Sequence, residues 1–406
     1  MREMKDSGIE WIGKIPKHWR IVPVKYFISI TNGSDPLTQS GDTCVYGSGS
    51  KSFKTCEEYK QGPAVLLGRK GTLDIPQWID DKYWNIDTAF DAKPKNEDIN
   101  LKLYYYLSVC FDYKKYSTQT ALPSMTQSNY NNMKISLPPI EEQQRIASFL
   151  DEKCGHIDRM KNDIKKQIEL LEEYKKSLIT ETVTKGLNPD AKMKDSGIEW
   201  IGIIPKHWKI SKVKYFYDIA LGKMLQPKQS SSADTYENYL CAINVCKNHL
   251  NFNTIKKMWF SEHEKKQYEL KKGDLLVVEG GDVASSAIIE KNTDKLYFQN
   301  ALHRVRSKEN FDIRILRYWL IYVKCSSYID LMCNKATIAH FSKEKFQQLP
   351  FVVIPINEQQ RIADYLDEKC KHINGIISKK KQQLENINEY KKSLIYEYVT
   401  GKQEVK

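Results

Sequence analysis

Apolar residues recur every three to four positions along two long stretches that are otherwise rich in lysine, glutamate, aspartate and glutamine. The first stretch follows Pro138 and Pro139 and runs for 45 residues with no further proline and one glycine. This spacing is a heptad pattern, and it predicts two long helices that pair as a coiled coil. The predicted seam positions are Ile157, Met160, Ile164, Gln167, Leu171, Tyr174 and Leu178 in the first stretch, and Ile373, Ile376, Lys380, Gln383, Ile387, Tyr390 and Leu394 in the second.

The middle of the predicted seam is polar. If two related halves of one chain close about a pseudo-two-fold axis, the helices run antiparallel and Gln167 lies opposite Gln383. A central polar pair of this kind can fix the register of a coiled coil. Because Gly155 and Gly375 lie near the starts of the helices, we also expect a break in the first helix around Cys154.

The segments outside these stretches mix short β-like runs with helical ones. Residues 65–67 and 275–278 are continuous apolar runs that end in glycines, and both predict buried strands. Residues 101–113 and 313–332 have the apolar spacing of amphipathic helices. We therefore expect a mixed α/β domain in each half of the chain.

Two blocks of sequence occur twice. Residues 4–27 and 193–216 differ at only four of 24 positions, and the hexapeptide that begins at Glu142 recurs at Glu358. The intervening residues, 28–137 and 217–354, share little. A repeated scaffold that carries two different domains indicates two related tasks on two different targets. The alternative is a gene duplication without functional asymmetry.

This layout divides the chain into five segments. They are a first domain (1–140), a first coiled-coil helix (141–184), a linker (185–192), a second domain (193–356) and a second coiled-coil helix (357–400).

Composition narrows the possible partners. The chain has 406 residues, and its 63 Lys and Arg against 51 Asp and Glu give a formal net charge of +12. A positive field favours a polyanion, with nucleic acid first and an anionic membrane surface second. No apolar run reaches the roughly 18 to 20 residues that a membrane span needs, and the N-terminus does not resemble a signal peptide. We therefore expect a cytoplasmic protein.

The motifs of catalysis and metal binding are missing from the sequence. The nine cysteines include no Cys-x-x-Cys pair, and the eight histidines form no cluster with ligand spacing. There is no phosphate-binding Gly-x-x-x-x-Gly-Lys-Ser/Thr loop, no His-Glu-x-x-His and no Asp/Asn-Pro-Pro-aromatic tetrapeptide. We accordingly assign no catalytic residue and no metal ligand.

The repeated blocks and their order resemble the specificity subunit of type I restriction–modification systems. The block from Asp6 to Trp19 recurs from Asp195 to Trp208, and Pro138 and Pro355 precede the two helices. The strand-ending sequences Gly-Arg-Lys-Gly-Thr at 68–72 and Glu-Gly-Gly-Asp at 279–282 also fit, as do Trp-Asn-Ile-Asp-Thr at 84–88 and Gln-Asn at 299–300. The resemblance covers nearly the whole chain.

The resemblance implies a subunit that is not itself an enzyme. It implies two α/β target-recognition domains joined by two long antiparallel coiled-coil helices, each domain reading one half of a split double-stranded DNA target. In this family the helices set the spacing and dock two modification subunits, which methylate adenine with S-adenosylmethionine. Restriction subunits join them for ATP-dependent cleavage with magnesium. The resemblance therefore implies no cofactor in this chain itself and no membrane partner.

Base contacts need long polar side chains on rigid supports, and the loops that resemble the family's DNA-facing segments supply them. Arginine suits guanine, lysine more often meets phosphate, and asparagine and glutamine suit adenine. The candidate DNA-binding residues are Arg69, Lys70, Thr72, Gln119, Thr120, Ser124, Gln127, Gly281, Gln299, Asn300, Arg304, Lys335, Thr337 and His340. For each of them a base contact, a phosphate contact and no contact all remain open.

The repeated aromatic residues predict structure rather than DNA contact. Trp11, Trp19, Trp200 and Trp208 are the same in both copies, whereas the bases that the two domains recognise should differ. Two alternative functions remain at this point: a coiled-coil protein scaffold without DNA recognition, and a self-contained nuclease or methylase. The first predicts no salt-sensitive DNA binding, and the second needs motifs that the sequence lacks.

Overall fold

The computed structural model describes residues 2–49, 51–118, 120–246, 249–326, 328–329 and 340–405. Two compact units make up the chain. The first comprises residues 1–166 and 380–406, and the second comprises residues 167–379. Each unit thus contains one domain and one end of each long helix. In the described part of the chain, no helix is both long and apolar enough to cross a membrane.

The domain of the first unit is built on a four-stranded antiparallel sheet. In order across the sheet, its strands are Ile28–Asn32, Ala89–Pro94, Ala64–Gly68 and Gln77–Ile79. A three-stranded sheet adjoins it (Lys54–Cys56, Thr43–Tyr46, Tyr83–Asn85), and two strand pairs complete the domain (Met4–Asp6 with Lys14–Pro16, Arg20–Pro23 with Lys134–Leu137). The short helices are Leu101–Val109, Tyr113–Tyr116 and Gln127–Asn132, with a 3-10 turn at Val24–Tyr26.

The second domain repeats this arrangement although its sequence differs. Its four-stranded sheet has the order Tyr217–Leu221, Leu302–Ser307, Leu275–Val278 and Ser286–Ile288. A three-stranded sheet is formed by Lys256–Phe260, Thr235–Leu240 and Leu296–Phe298. Three strand pairs complete the domain: Met193–Asp195 with Ile203–Pro205, Lys209–Lys212 with Pro350–Val353, and Val245–Cys246 with His249–Leu250. The short helices are Glu262–Tyr268, Ile313–Cys325 and Lys343–Gln348, with 3-10 turns at Val213–Tyr215 and Ala242–Asn244.

The two predicted buried strands are present as Ala64–Gly68 and Leu275–Val278, and every residue in both strands is buried. The predicted helices are shorter than the sequence indicates. They end at Val109 and Cys325, and Tyr113 belongs to a separate short helix. Residues 330–339, which the second of these predictions includes, lie outside the described part of the chain.

Each domain ends in a long helix. The first runs over Ile140–Lys185 and the second over Ile356–Val399, within one residue of the predicted bounds. The break expected around Cys154 is absent, because Gly155 and Gly375 both lie within continuous helix. Since the flanking residues are good helix formers, one glycine costs only about 1 kcal/mol, which the helix tolerates.

The long helices are antiparallel. In the first unit Lys391 Nζ lies 2.7 Å from an Asp158 carboxylate oxygen, and in the second Lys175 Nζ donates to Asn374 Oδ1 at 2.9 Å. From the first pair to the second, the residue number rises by 17 on the first helix and falls by 17 on the second. Two helices that run antiparallel in a single register show this relation. The predicted fold class, with its internal pseudo-two-fold repeat, is therefore correct.

The seam of these helices differs from the predicted one at alternate positions. Met160, Tyr174 and Tyr390 are 54%, 57% and 59% exposed, and Gln167 and Gln383 are exposed as well. The less exposed positions are Ile157, Lys161, Ile164, Ile168, Leu171, Lys175 and Leu178 in the first helix, and Ile373, Ile377, Lys380, Leu384, Ile387, Lys391 and Leu394 in the second. The heptad period is right, but every second seam position lies one residue later. Three of the six shifted positions are lysines, Lys161, Lys175 and Lys391. A lysine's aliphatic stem can cover apolar surface while its amine reaches polar groups.

The repeated N-terminal block packs on the C-terminal end of a long helix in each unit. Trp19 is fully buried in a core that includes Ile395 and Val399, and Trp208 is fully buried in a core that includes Ile179 and Val183. These two tryptophans are core anchors, as the sequence predicts. The repeated block therefore has the same structural role in both units.

A glutamate in the first turn of each long helix forms hydrogen bonds with the repeated His-Trp pair. Glu142 accepts a hydrogen bond from Trp19 Nε1 at 3.1 Å and lies 2.9 Å from His18 Nε2; Arg2 also contacts it. Glu358 makes the corresponding contacts with Trp208 and His207. Burial alone would raise the pKa of Glu142, but its hydrogen bonds with His18, Arg2 and Trp19 outweigh this and lower it.

The glutamine that follows ties the variable part of each domain to its long helix. Gln143 Oε1 accepts a hydrogen bond from the backbone of Asn100, and Gln359 Oε1 accepts one from Asp312, both at 2.8 Å. Asn100 and Asp312 are the N-caps of equivalent helices. About two turns further along each long helix, Tyr106 donates to Asp151 and Tyr318 donates to Asp367, both at 2.6 Å. Each domain is thus seated on its helix by the same contacts.

Candidate nucleic-acid interface

Three segments meet at one end of the four-stranded sheet in the first domain. The strand Ala64–Gly68 leads into Arg69, whose amide donates to Thr88 O at 2.7 Å and whose carbonyl accepts from Met125 N at 2.9 Å. Gly71 then takes a φ of +84°, which L side chains rarely adopt. The turn at 69–72, the turn at 85–88 and the segment that returns through 124–127 therefore form one rigid frame.

This frame gathers four of the candidate residues around a cavity of about 310 Å³. The lining residues include Arg69, Lys70, Ser124 and Gln127, together with Asn32 from the edge strand Ile28–Asn32. Arg69 is half-buried and uses one guanidinium nitrogen to donate to Asp87 O at 3.1 Å, so other N–H donors remain for a ligand. Lys70 is exposed. The cavity combines positive charge with long hydrogen-bonding side chains, as a base-reading surface requires.

Thr72 and Thr120 are the other described candidates of the first domain. Thr120 is exposed, and its hydroxyl donates to Leu122 O at 2.8 Å, which holds the tip of the loop. Gln127 donates one side-chain N–H to Ile30 O, which leaves its second N–H and its carbonyl oxygen for a ligand. Thr72 is half-buried at the end of the turn, and Gln119 lies outside the described residues.

The second domain has the same backbone frame. The strand Leu275–Val278 leads into Glu279, whose amide donates to Ala301 O at 3.0 Å and whose carbonyl accepts from Phe341 N at 2.7 Å. Gly281 has a φ of +86°, so it corresponds to Gly71. A bridge joins residue 280 to residue 340, as another joins residue 70 to residue 124 in the first domain. Residues 69 and 279 thus occupy equivalent positions.

The frame of the second domain holds four of the candidates. Gln299 and Asn300 form the turn that corresponds to residues 85–88, and both are half-buried. His340 is exposed on the return segment, and Gly281 is exposed in the turn after the strand. Lys335 and Thr337 lie outside the described residues.

Arg304 is a correction to the predicted set. It is only 8% exposed and donates to the backbone carbonyls of Gln267 and Glu269 at 2.9 and 3.0 Å, with its guanidinium 5.5 Å from the centroid of the Phe298 ring. These contacts hold the C-terminal end of the helix Glu262–Tyr268 against the sheet. Arg304 is therefore a structural residue and is not available to DNA.

The frame also identifies a residue that the sequence analysis missed. Glu279 stands where the first domain has Arg69, and it was noted only as part of a glycine-containing motif. Its signal in the sequence is its position as the first residue after an apolar strand and two residues before a glycine, which Arg69 shares. The charge at this position is opposite in the two domains.

A second candidate interface lies on the long helices. The heptapeptide Glu-Tyr-Lys-Lys-Ser-Leu-Ile at 173–179 recurs at 389–395. In both copies the second lysine (Lys175 or Lys391) and the leucine are half-buried, and the isoleucine is buried. The other side chains are exposed, and within the described residues they have no hydrogen-bond or ion-pair partner: Glu173, Tyr174, Lys176 and Ser177, with Glu389, Tyr390, Lys392 and Ser393. Packing therefore does not explain why these exposed positions are identical.

One family model matches both halves of the chain, and two curated relatives align with most of its length. The family model of the type I restriction modification DNA specificity domain matches residues 16–170 and again residues 205–386. The type I restriction enzyme MjaVIII specificity subunit of Methanocaldococcus jannaschii is 26% identical over 396 residues, which cover 94% of this chain and 83% of that protein. The MjaX specificity subunit of the same organism is 27% identical over 314 residues, 75% of this chain and 68% of the relative.

A solved structure has the same fold. It belongs to a study of complex assembly and conformational transition of the type I R-M system, and it superimposes with a TM-score of 0.71 at 16% identity. The match covers 96% of this chain and 99% of the other.

Proposed function

The chain belongs to the family of type I restriction–modification DNA specificity subunits, and from this premise we propose that it reads a bipartite double-stranded DNA target, one half with each domain. The candidate recognition surfaces are the frames around Arg69 and Glu279. Specific adenine methylation by the assembled complex would then be directed by this chain, which itself contributes no catalytic residue.

The observation that carries this proposal is one backbone frame with two sets of side chains. The hydrogen bonds that build the frame are the same in both domains, whereas Arg69 and Lys70 in the first are replaced by Glu279 and Gly280 in the second. A shared frame offers side chains to DNA in the same way. Different side chains on it select different bases.

The long helices are proposed to dock two modification subunits and, through them, the restriction subunits. The exposed side chains that are identical in 173–177 and 389–393 support this, because two equal surfaces suit two copies of one partner. The helices are also proposed to set the distance between half-sites. The 22 residues from Ile157 to Leu178 span about 33 Å, near the roughly 34 Å of one turn of B-DNA.

In this proposal the chemistry belongs to the partner subunits. S-adenosylmethionine serves the modification subunits, and ATP with magnesium serves the restriction subunits. The purified chain alone should therefore neither methylate nor cut DNA when these cofactors are supplied. Activity that follows the chain through purification and disappears when its own residues are mutated would contradict this assignment.

The direct experiment is to sequence methylated adenines in cells that carry this chain and its modification subunit. The proposal predicts one motif with two specified halves separated by unspecified base pairs. A continuous motif, or a motif with a single specified half, would contradict reading by two domains. A folded complex with no sequence preference and no salt-dependent DNA binding would instead support a protein scaffold.

A further inference from the structure

We propose that Glu279 determines the specificity of the second domain by accepting a hydrogen bond from the exocyclic amine of a cytosine in the major groove. Its counterpart Arg69 is suited to guanine at the equivalent position of the first half-site. This inference rests on the proposed function, and it adds the chemical identity of one base pair in each half-site.

The backbone contacts place Glu279 and Arg69 at the same point of the frame. Each is the first residue after the central strand, and each backbone amide donates to the turn that joins the next strand. Each carbonyl accepts from the return segment, at Met125 or Phe341, and a glycine with positive φ follows two residues later. Side chains that leave equivalent backbone positions start toward the same region, which in the first domain is the cavity lined by Arg69.

The Glu279 carboxylate is placed to meet a ligand rather than to hold the fold together. It is half-buried, and within the described part of the chain it has no hydrogen-bond or ion-pair partner. Burial raises its pKa, and the titratable side chains that act on it are His340 and Glu344, the latter in the helix Lys343–Gln348. A carboxylate that is partly desolvated without an internal donor is costly to the folded protein, and a donor from a ligand would offset that cost.

The chemistry of the groove selects among the bases. An ionised carboxylate only accepts hydrogen bonds. Guanine presents two acceptors in the major groove and thymine presents one beside its methyl group, so neither offers a donor to Glu279. Cytosine presents its amine alone, whereas adenine pairs its amine with an acceptor at N7. Cytosine is therefore the best match.

The first domain would then read a G·C pair through its guanine, and the second domain would read one through its cytosine. Arg69 can donate to guanine O6 and N7, whereas Glu279 accepts from the cytosine of its pair. Opposite charges at one position of the shared frame would thus select opposite bases of a G·C pair.

The test uses the complex of this chain with its modification subunit. It measures how tightly the complex binds DNA duplexes that contain the motif found by sequencing methylated adenines. Each position of the second half-site is varied in turn. At one cytosine, wild-type protein should discriminate against the other bases, and Glu279→Gln should reduce this discrimination roughly 5- to 150-fold. The other positions and the first half-site should keep their preferences. Glu290→Gln is the matched control, because Glu290 is exposed and follows the paired strand near the opposite end of Leu275–Val278.

A change in the DNA tests the same contact in unmodified protein. Replacing that cytosine with a 2-pyrimidinone base removes only the amine, and it should weaken wild-type binding by a similar factor. This arm decides the matter even if Glu279→Gln does not fold. A second half-site without a G·C pair, unchanged discrimination in Glu279→Gln, or equal weakening on all sequences would overturn the inference. If the wild-type protein directs methylation to no bipartite motif, that result would instead contradict the proposed function.

Discussion

Arg69 and Lys70 are adjacent residues on one turn, and their side chains should serve different purposes. Arg69 is half-buried in the frame, whereas Lys70 is exposed at its edge. If Arg69 makes a bidentate base contact, Arg69→Ala should cost about 1 to 3 kcal/mol of binding free energy and relax specificity at one position of the first half-site. Lys70→Ala should weaken all sequences alike and reduce the salt slope by about one. Binding titrations at several salt concentrations separate the two, and a uniform loss in Arg69→Ala would mark it as a phosphate contact.

Glu142 should contribute stability that depends on pH. Its side chain is 9% exposed and has charged or polar partners on both oxygens. Glu142→Gln should therefore cost about 1 to 3 kcal/mol at pH 7. Because the pKa of Glu142 is lowered in the folded protein, this contribution is complete above the unfolded pKa of about 4.3 and is lost as pH falls through the folded value.

Urea unfolding at pH 7 and pH 3 checks this prediction. The difference between Glu142→Gln and wild type should be smaller at pH 3 than at pH 7, because the wild-type carboxylate becomes protonated as the pH falls. Glu141→Gln is the control, because Glu141 is exposed on the same turn. A difference that stays the same at both pH values would contradict the role of the ionised carboxylate.

Single residues show how far the sequence could predict the site. Arg69, Lys70, Ser124 and Gln127 were identified because polar residues follow an apolar strand or resemble a DNA-facing loop, and they line one cavity. Arg304 could not be excluded from the sequence. Its inward direction depends on carbonyl acceptors at 267 and 269, which only tertiary packing brings to it.

At the scale of elements, heptad spacing predicted both long helices and their period. It did not predict which of two neighbouring residues faces the partner helix. Met160 and Tyr174 are the more apolar choice, yet Lys161 and Lys175 are the less exposed residues. An ordinary apolar scale misses this because a lysine stem packs like a short aliphatic chain while its amine forms polar contacts such as that with Asn374.

The corrected seam makes a direct prediction about stability. Ile168→Ala should lower the free energy of unfolding by roughly 1 to 2 kcal/mol, less than a fully buried site because Ile168 is half-buried. Met160→Ala should change it by less than about 0.5 kcal/mol, because Met160 is 54% exposed. Thermal and urea unfolding of both variants provide the measurement. A larger loss in Met160→Ala would restore the seam predicted from the sequence.

If the long helices set the spacing of the half-sites, their length should control the spacer. Adding one heptad to both helices keeps the seam in phase and lengthens each by about 10 Å. The methylated motif should then gain roughly three unspecified base pairs while its two halves keep their sequences. Affinity should fall because the longer spacer rotates one half-site about a third of a turn around the duplex. An unchanged spacer in a variant that still modifies DNA would contradict this role.

At the scale of the whole molecule, the repeated blocks predicted two domains on a shared scaffold. The equivalence of the recognition frames could not be predicted, because residues 28–137 and 217–354 share little sequence. It rests instead on matching backbone contacts. Val24 N donates to Met133 O as Val213 N donates to Leu349 O, and Tyr106 meets Asp151 as Tyr318 meets Asp367. These contacts define where one variable segment can replace the other.

The central claim is that each domain reads its own half-site independently, and a replacement within the chain tests it most directly. Residues 217–349 are replaced by a second copy of residues 28–133, with junctions at equivalent positions. Methylated adenines are then sequenced in cells that carry the variant and its modification subunit. The account predicts that the second half of the motif becomes a copy of the first in inverted orientation, with the first half unchanged. A motif that keeps its original second half, or in which the first half also changes, would contradict it.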